Sequence, residues 1–410
     1  MTMDAAGLRV AIVGVGVAGS LVAHRLARRS DIALELFEKV ATAGHADSGT
    51  GLNVGPNGIA ALARIDPALV TRVQAISLPW GHWSVRQADG SAVADFDMVQ
   101  LAGSAGIRVR WAALYTFLRG LVASQVNFSA EATAARREEN GRIALQVENG
   151  GRRDWTAPFD LVVAADGRYS MLRETLVGRP AIEHMGIAVT RLLCDDDSQG
   201  LVDDYTQWYL GHHRLFGYRV PGGALYLTAT FPLAPGDPVP EALKEPEVFR
   251  RTLTPGAGRL APGPLYVLDR LSANVERLHW ARFQQAPVCY RDPGGRLLVL
   301  GDAAHPMAPT LGQGATQALE DADAAVAAIE AGLDRASTER GPVDVPAITG
   351  AVERRRTARV RFVMDRSWSA AKPMLLGADQ AAALADIRSP QYRRELEQVF
   401  RLPPSERPAP

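Results

Sequence analysis

Apolar and polar positions along this chain follow two rhythms, and they change over from segment to segment. Leu8-Arg9-Val10-Ala11-Ile12-Val13 is a short, nearly unbroken apolar run, which reads as a buried strand. The run breaks at Gly14-Val15-Gly16-Val17-Ala18-Gly19, and helical spacing then covers 20–29. A second strand is predicted over 32–37 and stops at Glu38-Lys39. Strand, Gly-rich turn, helix and strand within about 30 residues make a βαβ unit. Helical spacing returns at 57–64 and 112–123, and stretches at 143–147 and 161–165 predict further strands. From about 184 to 268 the rhythm is that of strands, with runs at 205–210, 215–220 and 224–231. The turn residues between them, Gly211-His212-His213 and Pro221-Gly222-Gly223, argue for antiparallel pairing. Pro and Gly crowd 232–264. A last buried strand at 296–300 leads through Gly301-Asp302 into a long Ala-rich helix from 314 to about 333, and helical stretches near 351–367 and 389–400 follow. The predicted architecture is an α/β domain interrupted by a β-rich insertion.

Composition narrows the class. Apolar residues are 47% and charged residues 22% of 410, ordinary globular usage. With 45 basic and 45 acidic side chains the chain lacks the positive footprint of a nucleic-acid binder. No apolar run approaches the ~18 residues of a membrane span, and residues 1–9 lack the charged flank and apolar core of a secretory signal. Cys194 and Cys289 cannot form a disulfide framework, which fits a reducing compartment. A cytoplasmic protein with no membrane and no nucleic-acid partner is expected. Metal-spaced Cys/His clusters and a Gly-x-Ser-x-Gly elbow are both missing from the sequence, so neither a metal site nor serine nucleophile chemistry is expected.

Three motifs carry chemistry. Gly14-x-Gly16-x-x-Gly19 has dinucleotide-fingerprint spacing: the first glycine allows the tight turn, the second lets backbone approach a pyrophosphate, and the third permits close helix–strand packing. Glu38, 19 residues after Gly19, ends the second strand where a carboxylate can accept from a ribose 2′-hydroxyl. An acid there disfavours a 2′-phosphate, so the bound dinucleotide is FAD or NAD. The second motif is the strand 160–165 ending at Asp166-Gly167, with Arg173 further on, which taken alone is ordinary turn chemistry. The third is Gly301-Asp302-Ala303-Ala304-His305-Pro306, continuing to Pro309 and Gly312-Gln313-Gly314. Its Asp can take ribityl hydroxyls, and amides at 312–315 at a helix start suit negative charge on a flavin ring. His305 is expected to be a structural residue of its motif.

In their order, these motifs resemble the FAD-dependent aromatic hydroxylases, the single-component flavoprotein monooxygenases of the p-hydroxybenzoate, salicylate and hydroxypyridine-carboxylate hydroxylase type. The resemblance covers roughly 9–366 and includes Gly49-Thr50-Gly51-Leu52-Asn53-Val54-Gly55-Pro56-Asn57, similar to the family's second flavin-contacting segment. It implies a Rossmann-like FAD-binding domain at 1–75, 100–183 and 285–340. A β-sheet substrate domain would occupy 76–99 and 184–284, and a helical C-terminal segment 341–410. Gly14, Val15, Gly16, Ala18, Gly19, Glu38 and Lys39 would hold the ADP half of a non-covalent FAD. Asp302 would hold its ribityl chain, and Pro309, Gly312, Gln313, Gly314 and Ala315 would run along the isoalloxazine. Asp166 would serve both FAD and NAD(P)H. The family has an Arg in an Arg-x-x-Leu pattern before the helix at 112. Alignment on Leu114 puts Trp111 there, with Arg110 one residue earlier. Either the register slips by one and Arg110 reaches the flavin, or the contact differs.

The reaction so implied uses NADH or NADPH and O2 to hydroxylate a small phenolic or hydroxypyridine-type acid through a flavin C4a-hydroperoxide. Arg191 and Arg214 are candidates for a substrate carboxylate. Tyr218 is the candidate positioner of the ring hydroxyl and His213 the proton acceptor; Asn53, Tyr209 and Pro309 are further candidates for the pocket. Two competing readings are another FAD-dependent oxidoreductase on the same scaffold and a flavin-binding regulator without turnover. A halogenase-type Trp-x-Trp-x-Ile-Pro segment is absent: Trp80 and Trp83 are spaced differently. No second Gly-rich βαβ unit is present for the nicotinamide nucleotide, so a transient, shared site is expected. A monomer or homodimer fits equally well.

Overall fold

The structure, a computed structural model, describes residues 8–44, 50–254 and 259–404. At its centre is a five-stranded parallel sheet in the order Leu297–Val299, Leu161–Ala164, Leu8–Val13, Ile32–Glu38, Val126–Phe128. Leu161–Ala164 is buried along its whole length, which is why it reads as a continuous apolar run. Helices Val17–Leu26 and Gly314–Glu339 pack together in the same core, with Val345–Ser369 against the second of them. The strand predicted at 143–147 belongs elsewhere. Ile143–Asn149 is the middle strand of a separate three-stranded antiparallel sheet with Ala130–Arg137 and Arg152–Trp155.

A seven-stranded sheet runs His279–Gln285, Glu183–Asp195, Ala224–Pro232, His213–Val220, Tyr205–Leu210, His82–Gln87, Ala92–Asp97. One face carries Tyr205, Phe216, Tyr218 and Tyr226; the other carries Leu215, Leu225 and Leu227 under helices Pro246–Thr252 and Pro262–Ser272. The first of these helices lies in the Pro- and Gly-rich stretch that sequence patterning left without structure, and the second starts at its end and replaces by helix the strand rhythm expected up to about 268. Each begins on a proline, whose missing N–H is no loss in a first helical turn.

Between the sheets lies a small antiparallel one of Gly51–Val54, Gly106–Arg110 and Leu78–Trp80. Of segment 76–99, therefore, only the two strands after Gly81 join the seven-stranded sheet. The Ala-rich helix continues to Glu339, past 333, and stops where Arg340 turns left-handed at φ 52°. The C-terminal segment also holds a helix the pattern did not predict, Gln380–Ile387, which buries only Leu384 and Ile387.

Candidate active site

The Gly-rich turn is built as its spacing requires. A Cβ on Gly14, at φ +86°, would sit 2.4 Å from the Ala165 carbonyl oxygen, and one on Gly19 would sit 2.0 Å from the Gly14 oxygen. At Gly16 the nearest atom to such a Cβ is 3.5 Å away on the Tyr115 ring, so this stretch of backbone is open to a ligand. No side chain caps the helix that starts after Gly16, and Gly16, Val17 and Ala18 face a cavity of about 450 Å³. Buried Glu38 accepts the Val15 N–H at 2.8 Å and the Val40 N–H at 3.2 Å, tying the turn to the end of the second strand. Val15 and Lys39 do not line the cavity, and Lys39 is exposed.

Asp302, Pro309, Gly312, Gly314 and Ala315 continue the same wall. Gly312 is left-handed at φ +63°, and a Cβ there would fall 2.1 Å from Asn53 Nδ2. That nitrogen is buried without a partner, and Asn53 lines the cavity. Gln313 lies off the cavity, accepting the Asn57 amide at 3.1 Å and the Gln317 amide at 3.0 Å. Asp166 is also set back: it accepts the Leu172 N–H at 3.4 Å, and its other oxygen is buried unpartnered. Burial raises its pKa above the ordinary carboxylate value. Neighbouring Ala165, Gly167 and Arg168 do line the cavity. At the uncertain register, Trp111 lines the cavity and stacks on Tyr115 at 3.8 Å, whereas Arg110 lines a neighbouring groove.

The opposite wall is the aromatic face of the seven-stranded sheet. Strand alternation puts Arg214, Phe216 and Tyr218 on the cavity and His213 on the reverse face, beside Phe231 at 5.5 Å. His213 Nδ1 faces the Thr230 carbonyl oxygen at 3.3 Å, and burial lowers its pKa from 6.5. The expectation of His213 as proton acceptor is therefore set aside, because one step of strand period turns it away. Tyr209 shares the cavity-side apolar cluster but does not reach the cavity wall. Burial pushes the Tyr218 phenol well above 10, aided by Tyr226 and Tyr205, with Arg108 and Arg191 opposing. Arg214 is buried and hydrogen bonds Gln207 at 3.3 Å; its Nε has no partner, and no carboxylate pairs with it among the described residues.

Behind the Gly301–Ala315 wall is an ionic network that sequence reasoning missed. Asp321 accepts from the Gly301 N–H at 2.8 Å, Tyr290 at 2.7 Å and Arg356 at 2.7 Å, and lies 2.6 Å from His305 Nε2. Glu320 accepts from Asn57 at 2.6 Å, Arg356 at 2.5 Å and Arg359 at 2.9 Å. Burial alone would raise the Glu320 pKa; Arg356 and Arg359 outweigh it and bring it down to about 2. Asp321 is lowered as well, with His305 and Arg356 overcoming its desolvation. Three buried acids, Glu320, Asp321 and Asp323, in the Ala-rich helix were the available signal.

Comparison with known proteins fits this geometry. The FAD binding domain family matches residues 114–342. A 3-amino-4-hydroxybenzoate 2-monooxygenase of Streptomyces platensis is 30% identical over 332 residues, 77% of each chain. The chain belongs to the FAD-dependent aromatic monooxygenases. A 6-hydroxynicotinate 3-monooxygenase of Pseudomonas fluorescens is 26% identical over 326 residues, 76% of this monooxygenase and 80% of that one. The fold matches Klebsiella pneumoniae HpxO, crystallised with FAD and uric acid, at TM-score 0.74 and 20% identity over 95% and 93% of the chains. The monooxygenase binds FAD, and the open Gly16 backbone, the uncapped helix and the unpartnered Asn53 amide beside Gly312 fit that cofactor. Among the described residues no helix is long and apolar enough to cross a membrane, and no group of three or more His, Cys, Asp or Glu is placed to hold a metal.

Proposed function

We propose that this monooxygenase hydroxylates a small aromatic acid carrying a ring hydroxyl, of the phenolic or hydroxypyridine type, with NAD(P)H as reductant. The observation that carries this reading is Arg214, a buried guanidinium without a carboxylate partner, on the wall facing Gly312–Ala315. A buried cation calls for an anion, and a substrate carboxylate supplies one. Arg191, on the same wall, adds a second cation.

The overall balance takes a ring C–H, NAD(P)H, a proton and O2 to a ring C–OH, NAD(P)+ and water. When bound, FAD supplies the redox chemistry. The chain does the rest. The turn at 14–19 and Glu38 would hold the ADP half of FAD, Asp302 would hold its ribityl hydroxyls, and the helix start at Gly314 would offer its amides to the ring system. Arg191 and Arg214 orient the acid, and Tyr218 orients the ring hydroxyl. The Tyr218 phenol, pushed further up by burial, stays protonated at neutral pH and so positions the ring hydroxyl by hydrogen bonding without taking up its proton. Aromatic side chains on the sheet wall exclude water. The test is NAD(P)H oxidation with a panel of benzoic and pyridine carboxylic acids bearing hydroxyls, with product mass. One acid is expected to accelerate oxidation and appear 16 mass units heavier, the mass of one added oxygen atom. Binding of every acid without turnover would leave a regulator in its place.

A further inference from the structure

Beside the FAD cavity is a second groove of about 810 Å³, and the two share Thr50 and Arg191. Its walls are basic: Arg110, Arg191, Arg270 and Arg277, with His279 across from Arg191 in the strand pairing. Among the described residues Asp195 is the acid on the lining, and Asp197 pairs with Arg270 at 3.3 Å. Arg277 bonds only the neutral Asn274 side chain, at 3.2 Å, among the described residues. Arg110 lies against the Pro221-Gly222-Gly223 turn, where a Cβ on Gly222 would be 3.7 Å from its Nη1. Of these arginines Arg191, at the seam, also lines the cavity, where it faces the substrate acid; Arg110, the alternative flavin contact of the sequence reading, lines the groove and not the cavity.

We propose that this groove docks the pyrophosphate of the pyridine dinucleotide reductant, with Arg110 and Arg277 as its main cations. The inference rests on the NAD(P)H reading above. A hydride donor must bring its nicotinamide to the flavin wall while its phosphates stay outside the aromatic cavity. The chain offers no second Gly-rich βαβ turn for those phosphates. A groove that opens onto the cavity at Thr50 and Arg191 supplies the route, and paired guanidiniums match phosphate oxygens bidentately. Its volume is within the range of small-molecule sites.

The probe is tetrahydro-NAD(P)H, which cannot donate a hydride, titrated calorimetrically into FAD-loaded protein. Charge reversal at exposed positions leaves the fold intact, so Arg110→Glu and Arg277→Glu are each expected to weaken binding by about tenfold. FAD content and affinity for the aromatic acid stay at wild-type values. Arg152→Glu, on the separate three-stranded sheet, controls for net charge and leaves the probe's affinity unchanged. Wild-type affinity for the probe in either groove variant would overturn the assignment. So would loss of aromatic-acid affinity in its place, which would give the groove to the substrate. Formation of hydroxylated product by the wild-type enzyme is scored separately, so failure of the groove is distinguishable from failure of the proposed function.

Discussion

At Asp302 and Asp166, two aspartates that both end buried strands, the surroundings differ enough to separate their roles. Asp302 lines the cavity with its side chain about half exposed, 4.0 Å from Arg168. Asp166 is turned into its own loop. Asp302→Ala is therefore expected to lose FAD more readily than Asp166→Ala on gel filtration, because it strands ribityl hydroxyls at about 1–3 kcal/mol. Equal flavin loss would end this division. On the sheet wall, Arg214→Met should raise the KM for the aromatic acid by about tenfold to a hundredfold, the effect of losing a charged hydrogen-bond partner at about 1.5–3 kcal/mol. Tyr218→Phe should divert NAD(P)H oxidation toward hydrogen peroxide, read as peroxide formed per NAD(P)H consumed. His213→Ala should leave coupling unchanged. Its residue-level error in the sequence reading has a clear origin. Placing 211–213 in a turn hid the strand parity, whereas Tyr209↔Arg214 and Leu210↔His213 pair across a tight hairpin and fix opposite faces for 213 and 214.

Among the elements, the βαβ unit was legible because sterics at Gly14 and Gly19 leave little choice of residue, and an all-buried strand leaves an unbroken apolar run. Helices Pro246–Thr252 and Gln380–Ile387 were not, since they bury one and two side chains and so write little periodicity. Pro262–Ser272 does bury Pro264, Val267, Leu268 and Leu271 at helical spacing, but the prolines at its start masked that rhythm. The network around Arg356 was hidden for another reason: it joins helices Gly314–Glu339 and Val345–Ser369 through tertiary contacts that no spacing encodes. Removing one partner from a buried ionic cluster is costly, so Arg356→Met should lower unfolding free energy by about 3–5 kcal/mol in urea at pH 7. The pH dependence has a definite sign. Glu320 titrates at about 2 in the folded protein against an ordinary 4.5. Its stabilisation is complete above 4.5 and fades as pH falls toward 2. Urea midpoints between pH 6 and pH 3 should fall on acidification in the wild type and fall less in Arg356→Met, which has already lost that counter-charge. Parallel slopes would show that Arg356 does not set the Glu320 pKa.

For the whole molecule, the interrupted order of segments was readable because the parallel-sheet strands and the antiparallel runs differ in rhythm. Their meeting place was not, because a cavity between two sheets is a property of packing. Here the parallel sheet contributes the wall from Gly16 to Ala315 and the seven-stranded sheet contributes Arg191, Arg214 and Tyr218. A cofactor seated at that seam binds the folded arrangement and not the unfolded chain, so it should stabilise both lobes together. The purified protein is expected to be yellow, with one FAD per chain released into the supernatant on acid precipitation. Stripping FAD should lower the melting temperature, and refilling to a thousandfold excess over Kd should restore about 4 kcal/mol. Hydrogen exchange then asks where this stabilisation is felt. Amides at 14–19 and 312–315 should gain protection directly, and those of His213–Val220 should gain it through the shared cavity. Protection confined to the first two segments would mean that FAD is held by the parallel-sheet lobe alone, and that the aromatic wall closes only when the substrate acid arrives.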